Sequence, residues 1–104
     1  MKVAGIAWTP RSLAHLLRDR AKRRISQDDV EKVLLNASRT TRSVLMIRMV
    51  DGREKYLFEG TVDERPIAVI GIRDGSFVVA PQTAWPLRDA PLRRYVAWRK
   101  TVRR

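Results

Sequence analysis

The chain has 104 residues, 44% hydrophobic and 32% charged, enough apolar material for one folded domain over residues 1–104 and too little chain for a second. No apolar run approaches the roughly 20 residues that cross a bilayer, and with no cysteine there can be no disulfide, thiolate nucleophile or Cys-based zinc site. The formal charge of +11 is organised: residues 11–24 carry six Lys/Arg and one Asp, residues 88–104 carry seven and one, and the other 73 residues hold nine of each sign.

Cations gathered on particular elements suit a polyanion, most often nucleic acid. Seventeen of the 22 are Arg, whose planar fork holds phosphate through two parallel hydrogen bonds. The first eight residues lack the apolar stretch and small-residue cleavage site of a secretory signal, so a cytoplasmic site of action is expected.

Residues 3–8 read as a short strand, followed by Thr9 as N-cap and Pro10 at the first helical position. The helix they open runs to about Arg23, with Leu13, Leu16, Leu17 and Ala21 as its buried stripe. Ser26-Gln27-Asp28-Asp29 starts a second helix by placing a hydroxyl and two carboxylates at the positive helix end, and Val30, Val33 and Leu34 form its core face. From about Ser43 the period becomes extended. Strands at 43–50 and 53–60 flank Asp51-Gly52, strands at 66–73 and 76–85 flank Asp74-Gly75, and each Asp-Gly predicts a two-residue type I′ turn.

Pro81 marks an edge or a bulge late in the last strand, and Asp89 is expected to cap a final helix that docks through Leu92, Tyr95, Val96 and Val102. The fold class is therefore α+β, in the order β-α-α-β-β-β-β-α, with a four-strand antiparallel meander packed by helices.

A two-residue turn at Asp51-Gly52 would set Arg48 opposite Lys55, Met46 opposite Leu57 and Val44 opposite Glu59. Leu45, Ile47 and Met49 would then share the core face with Tyr56 and Phe58. Like charges opposite each other on a sheet are destabilising unless an anion lies between them, so Arg48 and Lys55 propose a phosphate.

The carboxylates offer little to a metal. Of eleven, Asp28, Asp29, Glu31 and Asp89 suit helix N-termini, Asp51 and Asp74 belong to turns, and Asp63 and Glu64 precede Pro66. One His with Asp19, Glu54 and Glu59 makes a poor ligand set, so neither metal nor cofactor is expected. Metal-free RNA cleavage demands less. The 2′-OH of RNA is the nucleophile, and the protein supplies a proton acceptor or donor and cations for the phosphate. His15 shares a helix side with Arg11, Arg18 and Lys22, and Asp19 follows one turn on.

The stretch from His15 to Leu34, with Arg23-Arg24-Ile25-Ser26 ahead of Asp28-Asp29, resembles the opening of a small family related to BrnT toxins. That family carries a His, a basic residue before a Gly-hydrophobic-Ser/Thr step, and an acidic-capped short helix; Arg24 stands here in place of the Gly. Lys55-Tyr56-Leu57-Phe58-Glu59-Gly60 resembles its second long strand, and Gln82-Thr83-Ala84-Trp85-Pro86 is similar to the last-strand ending of related toxin nucleases. The resemblance covers residues 10–86. It implies the RelE-like fold, a ribonuclease toxin that works without metal on free or ribosome-bound RNA, and neutralisation by an antitoxin. By position it also implies active-site roles for His15 and Thr83 and phosphate binding by Lys55.

The expectation is thus a metal-independent endoribonuclease of a toxin-antitoxin system. His15 would act in proton transfer, and Arg18 and Arg23 would stabilise charge. Arg11, Lys22, Arg23, Arg48, Arg93 and Arg94 would bind the RNA backbone, with an acidic antitoxin as protein partner and no membrane contact. Two alternatives are a non-catalytic nucleic-acid-binding module and an adaptor that docks an acidic protein through the final helix.

Overall fold

The computed structural model describes residues 2–36, 40–74 and 76–102, with the side chains of 19–22 not described. Eight elements follow in order: β1 (Gly5–Ile6), α1 (Pro10–Arg23), α2 (Gln27–Leu35), β2 (Arg42–Arg48), β3 (Glu54–Val62), β4 (Arg65–Arg73), β5 (Val78–Pro86) and α3 (Asp89–Val102). They form an α+β fold with one mixed sheet of five strands, ordered β1-β5-β4-β3-β2, and three helices. The antiparallel strands are thus not the whole sheet. β1 joins as a fifth member, parallel to β5, through Gly5↔Val78 and Ile6↔Val79.

Local chemistry sets the helix starts. The Thr9 hydroxyl accepts from the Ser12 amide at 3.1 Å, and the Ser12 hydroxyl accepts from the Thr9 amide at 3.1 Å. Ser26 and Asp29 make the same reciprocal pair at the head of α2, at 3.1 and 3.0 Å. Between the helices Arg24 takes φ 56°, the left-handed conformation that glycine adopts most easily. Arg65 ties this corner down, donating to the Arg24 carbonyl at 2.7 Å and to the Asp29 carboxylate at 2.9 Å.

The sheet has a core on each face. Leu16 of α1, Ile25, and Val30, Val33 and Leu34 of α2 bury against Phe58, Val62, Ile67, Val69, Val79 and Ala84. On the other face Tyr95, Leu92 and Trp98 of α3 pack with Leu57, Ala68, Trp85 and Leu87. Ile67, Ala68 and Val69 fall alternately into the two clusters, as the two-residue period of a strand requires. Helix α2 lies very close to β3 at Gly60, where an added Cβ would meet the Thr41 hydroxyl at 2.7 Å and a Val33 methyl at 3.2 Å.

Several expectations give way. Leu17 is exposed, and the buried side of α1 is Ser12 and Leu16; Ala21 lies outside the described side chains. The Arg88 carbonyl, not Asp89, starts α3, accepting from the Leu92 amide, while Asp89 takes φ 54° in the first turn. Val96 and Val102 are exposed, so α3 docks through Leu92, Tyr95 and Trp98.

The Asp51-Gly52 turn is not the two-residue kind. Gly52 alone has positive φ, its amide donates to the Met49 carbonyl at 3.1 Å, and the Met49 amide donates to the Arg53 carbonyl at 2.7 Å. The loop is therefore the three residues Val50, Asp51 and Gly52. The extra residue slips the register, so Arg48 faces Glu54 and Lys55 faces Ile47. A bulge between Leu45 and Ile47 shifts it again, leaving Val44 opposite Leu57 and Arg42 opposite Glu59. Leu45 and Ile47 consequently point to opposite faces and are exposed rather than core.

The two-residue turn with both central residues at positive φ lies at Asp63 (49°) and Glu64 (66°), between Val62 and Arg65. Gly75, half of the other turn expectation, lies outside the described residues. Arg73 pairs with Val79 there, which makes that connection longer than two residues. Pro81 does sit beside a bulge, because Gly71 pairs with Pro81 and Ile70 with Thr83, leaving Gln82 as the additional residue.

Three stability effects follow. Glu64→Gly should raise stability by about 1 kcal/mol by relieving a left-handed side chain, read as a higher urea midpoint. Gly60→Ala should cost about 1–3 kcal/mol by forcing α2 off the sheet. Asp29 governs an acid limb. Burial opposes its ionisation, but the Ser26 amide, the Arg65 guanidinium and the Ser26 hydroxyl outweigh burial and hold the carboxyl below its ordinary value. A depressed folded pKa gives stability that is complete above the unfolded value and lost as pH falls through the folded one. Asp29→Asn should therefore flatten the decline in urea midpoint between about pH 5 and pH 2, while costing about 1–2 kcal/mol at pH 7.

Candidate active cleft

β5 is nine residues long, yet β1 pairs with only Val78 and Val79. Helix α1 packs along β5 and supplies Arg23, whose guanidinium donates to the Ala84 carbonyl at 2.8 Å and to the Thr83 hydroxyl at 3.2 Å. With Arg23 and Leu16 turned toward the sheet, the three-and-four spacing of the helix carries Arg11, His15 and Arg18 to a neighbouring side. That side looks into a cleft of about 810 Å³.

The opposite wall of the cleft comes from the sheet. Ile72, Val78, Ala80 and Pro81 are its apolar floor, and Gln82, exposed on the bulge, stands at its rim. Arg53 and Asp74 enter from the two hairpin ends. Arg53 is already engaged by Asp51 at 2.7 Å. Asp74 accepts from the Ser76 hydroxyl and amide, which hold its carboxyl below the usual range, so it remains an anion at neutral pH. The cleft therefore presents three guanidinium groups, one imidazole and one carboxylate. His15 is half-buried while Arg11 and Arg18 are exposed, so the imidazole sits deeper than the cations around it.

The sequence candidates separate clearly. His15, Arg11 and Arg18 come together in the cleft. Lys55 is the cross-strand partner of Ile72, so it shares that sheet face one strand farther from α1, outside the lining. Thr83 lies on the same face as well, opposite Ile70, but its hydroxyl faces Arg23 and does not line the cleft. Arg23 makes structural bonds to the edge of β5.

Arg48 is not opposite Lys55: it pairs with Glu54 at 3.1 Å, so the like-charged pair that would have called for a phosphate does not exist. Arg93 and Arg94 are exposed on α3 and do not line the cleft, and the Lys22 side chain lies outside the described residues. Sequence reading missed Arg53, Asp74 and Gln82. The signal for Gln82 was Pro81, whose missing amide places the bulge that turns its neighbour outward.

Among the described residues no group of three or more His, Asp or Glu side chains is placed to hold a metal ion, and no helix is long and apolar enough to cross a membrane. No family model, curated protein or solved structure matches the chain.

The split between structural and cleft-facing arginines can be measured. Arg23→Ala should lower stability by about 1–2 kcal/mol because it leaves the Ala84 carbonyl without its donor. Arg11→Ala and Arg18→Ala should change the urea midpoint by no more than about 0.5 kcal/mol in equivalent stability.

Proposed function

We propose that this protein is a metal-independent endoribonuclease of the toxin type, acting on RNA in the cytoplasm and held in check by an acidic antitoxin. The observation that carries the reading is that the chain's one histidine lines a single cleft with Arg11 and Arg18. On this reading Arg11 and Arg18 bind the non-bridging oxygens of the scissile phosphate and offset the charge that grows on them in the transition state. His15 accepts the proton of the adjacent 2′-OH as that oxygen attacks phosphorus to form a 2′,3′-cyclic phosphate, and the 5′-oxygen leaves as a hydroxyl by taking a proton from water. Arg53 extends the cationic path toward the hairpin end, and Lys55 serves the backbone of the next nucleotide along the same sheet face.

The RelE-like scaffold belongs to this proposal, supported by the element order and by the resemblance of the segments around His15 and Gln82. Arg24 weakens the likeness less than its side chain suggests, because it adopts the left-handed conformation that the family's glycine would take.

A non-catalytic RNA-binding module is the second reading, favoured by one observation. Among the described residues the cleft holds one imidazole and no second group suited to proton transfer near neutrality, since Asp74 is held as an anion.

Cleavage of a mixed RNA substrate in EDTA, alone and with ribosomes, separates the two. The enzyme reading expects product whose amount EDTA does not change, and a His15→Gln rate lower by about 10²–10⁴-fold. Arg11→Ala and Arg18→Ala should each weaken binding and reduce the slope of log affinity against log salt by about 1. Tight, salt-dependent binding with no product in either setting would overturn catalysis and leave the binding module.

A further inference from the structure

The face of the sheet that α3 covers has a hollow of its own, about 360 Å³ in volume, where the helix passes the β3–β4 turn. Thr61 and Pro66, cross-strand partners beside that turn, line it together with Tyr95, Val96, Arg99 and Lys100 of α3. Glu64, from the turn itself, completes the lining. The hollow shares no residue with the cleft: Pro66 borders one and Ile72 the other, six residues apart on one side of β4, which separates them by about 20 Å.

A one-way chain of hydrogen bonds sets the chemistry here. Tyr95 is buried, and its hydroxyl donates to the Thr40 carbonyl at 3.3 Å. With that proton committed, Tyr95 accepts from the Thr61 hydroxyl at 2.8 Å, and Thr61 accepts from the Arg99 guanidinium at 2.6 Å. The half-buried Arg99 is thus aimed by a neutral oxygen. No fixed charge answers it. Arg42, Arg48, Arg53 and Arg65 each hold a carboxylate, whereas among the described residues neither Arg99 nor Lys100 forms an ion pair, although Glu64 lines the same hollow. A partly desolvated guanidinium without a counter-ion is a place for an oxyanion.

The rest of the lining narrows the ligand. Pro66, Val96 and the Tyr95 ring are apolar, and Val96 keeps 41% of its surface exposed beside the cations of α3. Glu64 is an acceptor for a hydroxyl or amino group. Two cations against one carboxylate leave a single positive charge, unlike a strand-binding groove that is cationic along its length, so the hollow suits one nucleotide rather than a run of phosphates. Its volume falls within the range of small-molecule sites. We propose that this hollow is a second ligand site, which takes a mononucleotide: the phosphate on Arg99 and Lys100, the base against Pro66 and Val96, and a ribose hydroxyl or base amino group donating to Glu64. The site does not depend on the chemistry of the cleft.

Titration of the ¹⁵N-labelled full chain with AMP in about 0.15 M salt tests it, because amide shifts report where the ligand sits. The expected result is a saturable shift at Thr61, Glu64, Val96, Arg99 and Lys100, with a dissociation constant below about 1 mM. Arg99→Gln should weaken AMP binding about tenfold, and Lys100→Gln, at an exposed position outside the core, about fivefold. Arg93→Gln, an equal loss of charge on α3 outside the hollow, should change it less than about twofold. Adenosine and inorganic phosphate should each bind at least about tenfold more weakly than AMP, since each fills only part of the site. Shifts confined to cleft residues such as Ser12 and Ile72 would overturn the proposal. So would equal weakening by Arg93→Gln and Lys100→Gln, equal affinity for inorganic phosphate and AMP, or shifts of these amides by hexa-adenylate but not by AMP.

Discussion

The unfinished outer edge of β5 is the constraint from which the rest of the molecule follows. A nine-residue strand partnered by a two-residue one leaves backbone groups on its outer side that must find other company. Three devices meet that need together. Pro81 removes one donor, the bulge at Gln82 redirects the strand, and Arg23 reaches from α1 to the Ala84 carbonyl. Helix α1 is thereby fixed along this edge. Once Leu16 and Arg23 face the sheet, the helical period leaves Arg11, His15 and Arg18 no direction but over the cleft. The candidate chemistry is a by-product of edge management.

The corner between α1 and α2 shows the same economy. Arg65 occupies a turn-flanking position of β4, yet it binds the carbonyl of a left-handed residue and the carboxylate of a helix cap at once. Arg24, Ser26 and Asp29 each solve a local problem, and one guanidinium from a distant strand locks the solutions to the sheet. Arginine therefore has three uses here: joining elements at Arg23 and Arg65, balancing carboxylates at Arg42, Arg48 and Arg53, and lining the cleft at Arg11, Arg18 and again Arg53. A net charge of +11 sums over all three and does not tell them apart.

Much of this was legible before any coordinates. Thr9-Pro10 and Ser26 with Asp29 announce their helices because capping is chemistry between residues three apart, and Val30, Val33 and Leu34 announce a buried face by spacing. Pro81 announces an edge or a bulge because proline lacks the amide a ladder needs, and the structure makes it a bulge. The β2–β3 register was not legible. Asp-Gly satisfies both a two-residue loop and a three-residue loop with glycine last, and the difference of one residue moves Arg48 from Lys55 to Glu54. The turn at Asp63-Glu64 escaped for the opposite reason, since Asp tolerates a left-handed backbone but Glu does not ask for one, and the flanking pairs Val62↔Arg65 and Thr61↔Pro66 impose it.

By itself the sequence determined the α+β class, the positions where the first two helices begin, the helix side shared by His15, Arg11 and Arg18, and the concentration of charge. Each rests on interactions among residues a few positions apart, which a linear pattern records. The tertiary structure alone decided that Arg23 is a structural donor, that Arg48 is neutralised, that Thr83 bonds Arg23 outside the cleft lining while Gln82 borders the cleft, and that Leu45 and Ile47 reach solvent. Those outcomes depend on strand register and on which helix lies along which edge. Both are set by backbone hydrogen bonds between residues up to 73 positions apart, as from Ala4 to Phe77, and by arginines bridging up to 61, and local spacing carries no trace of either.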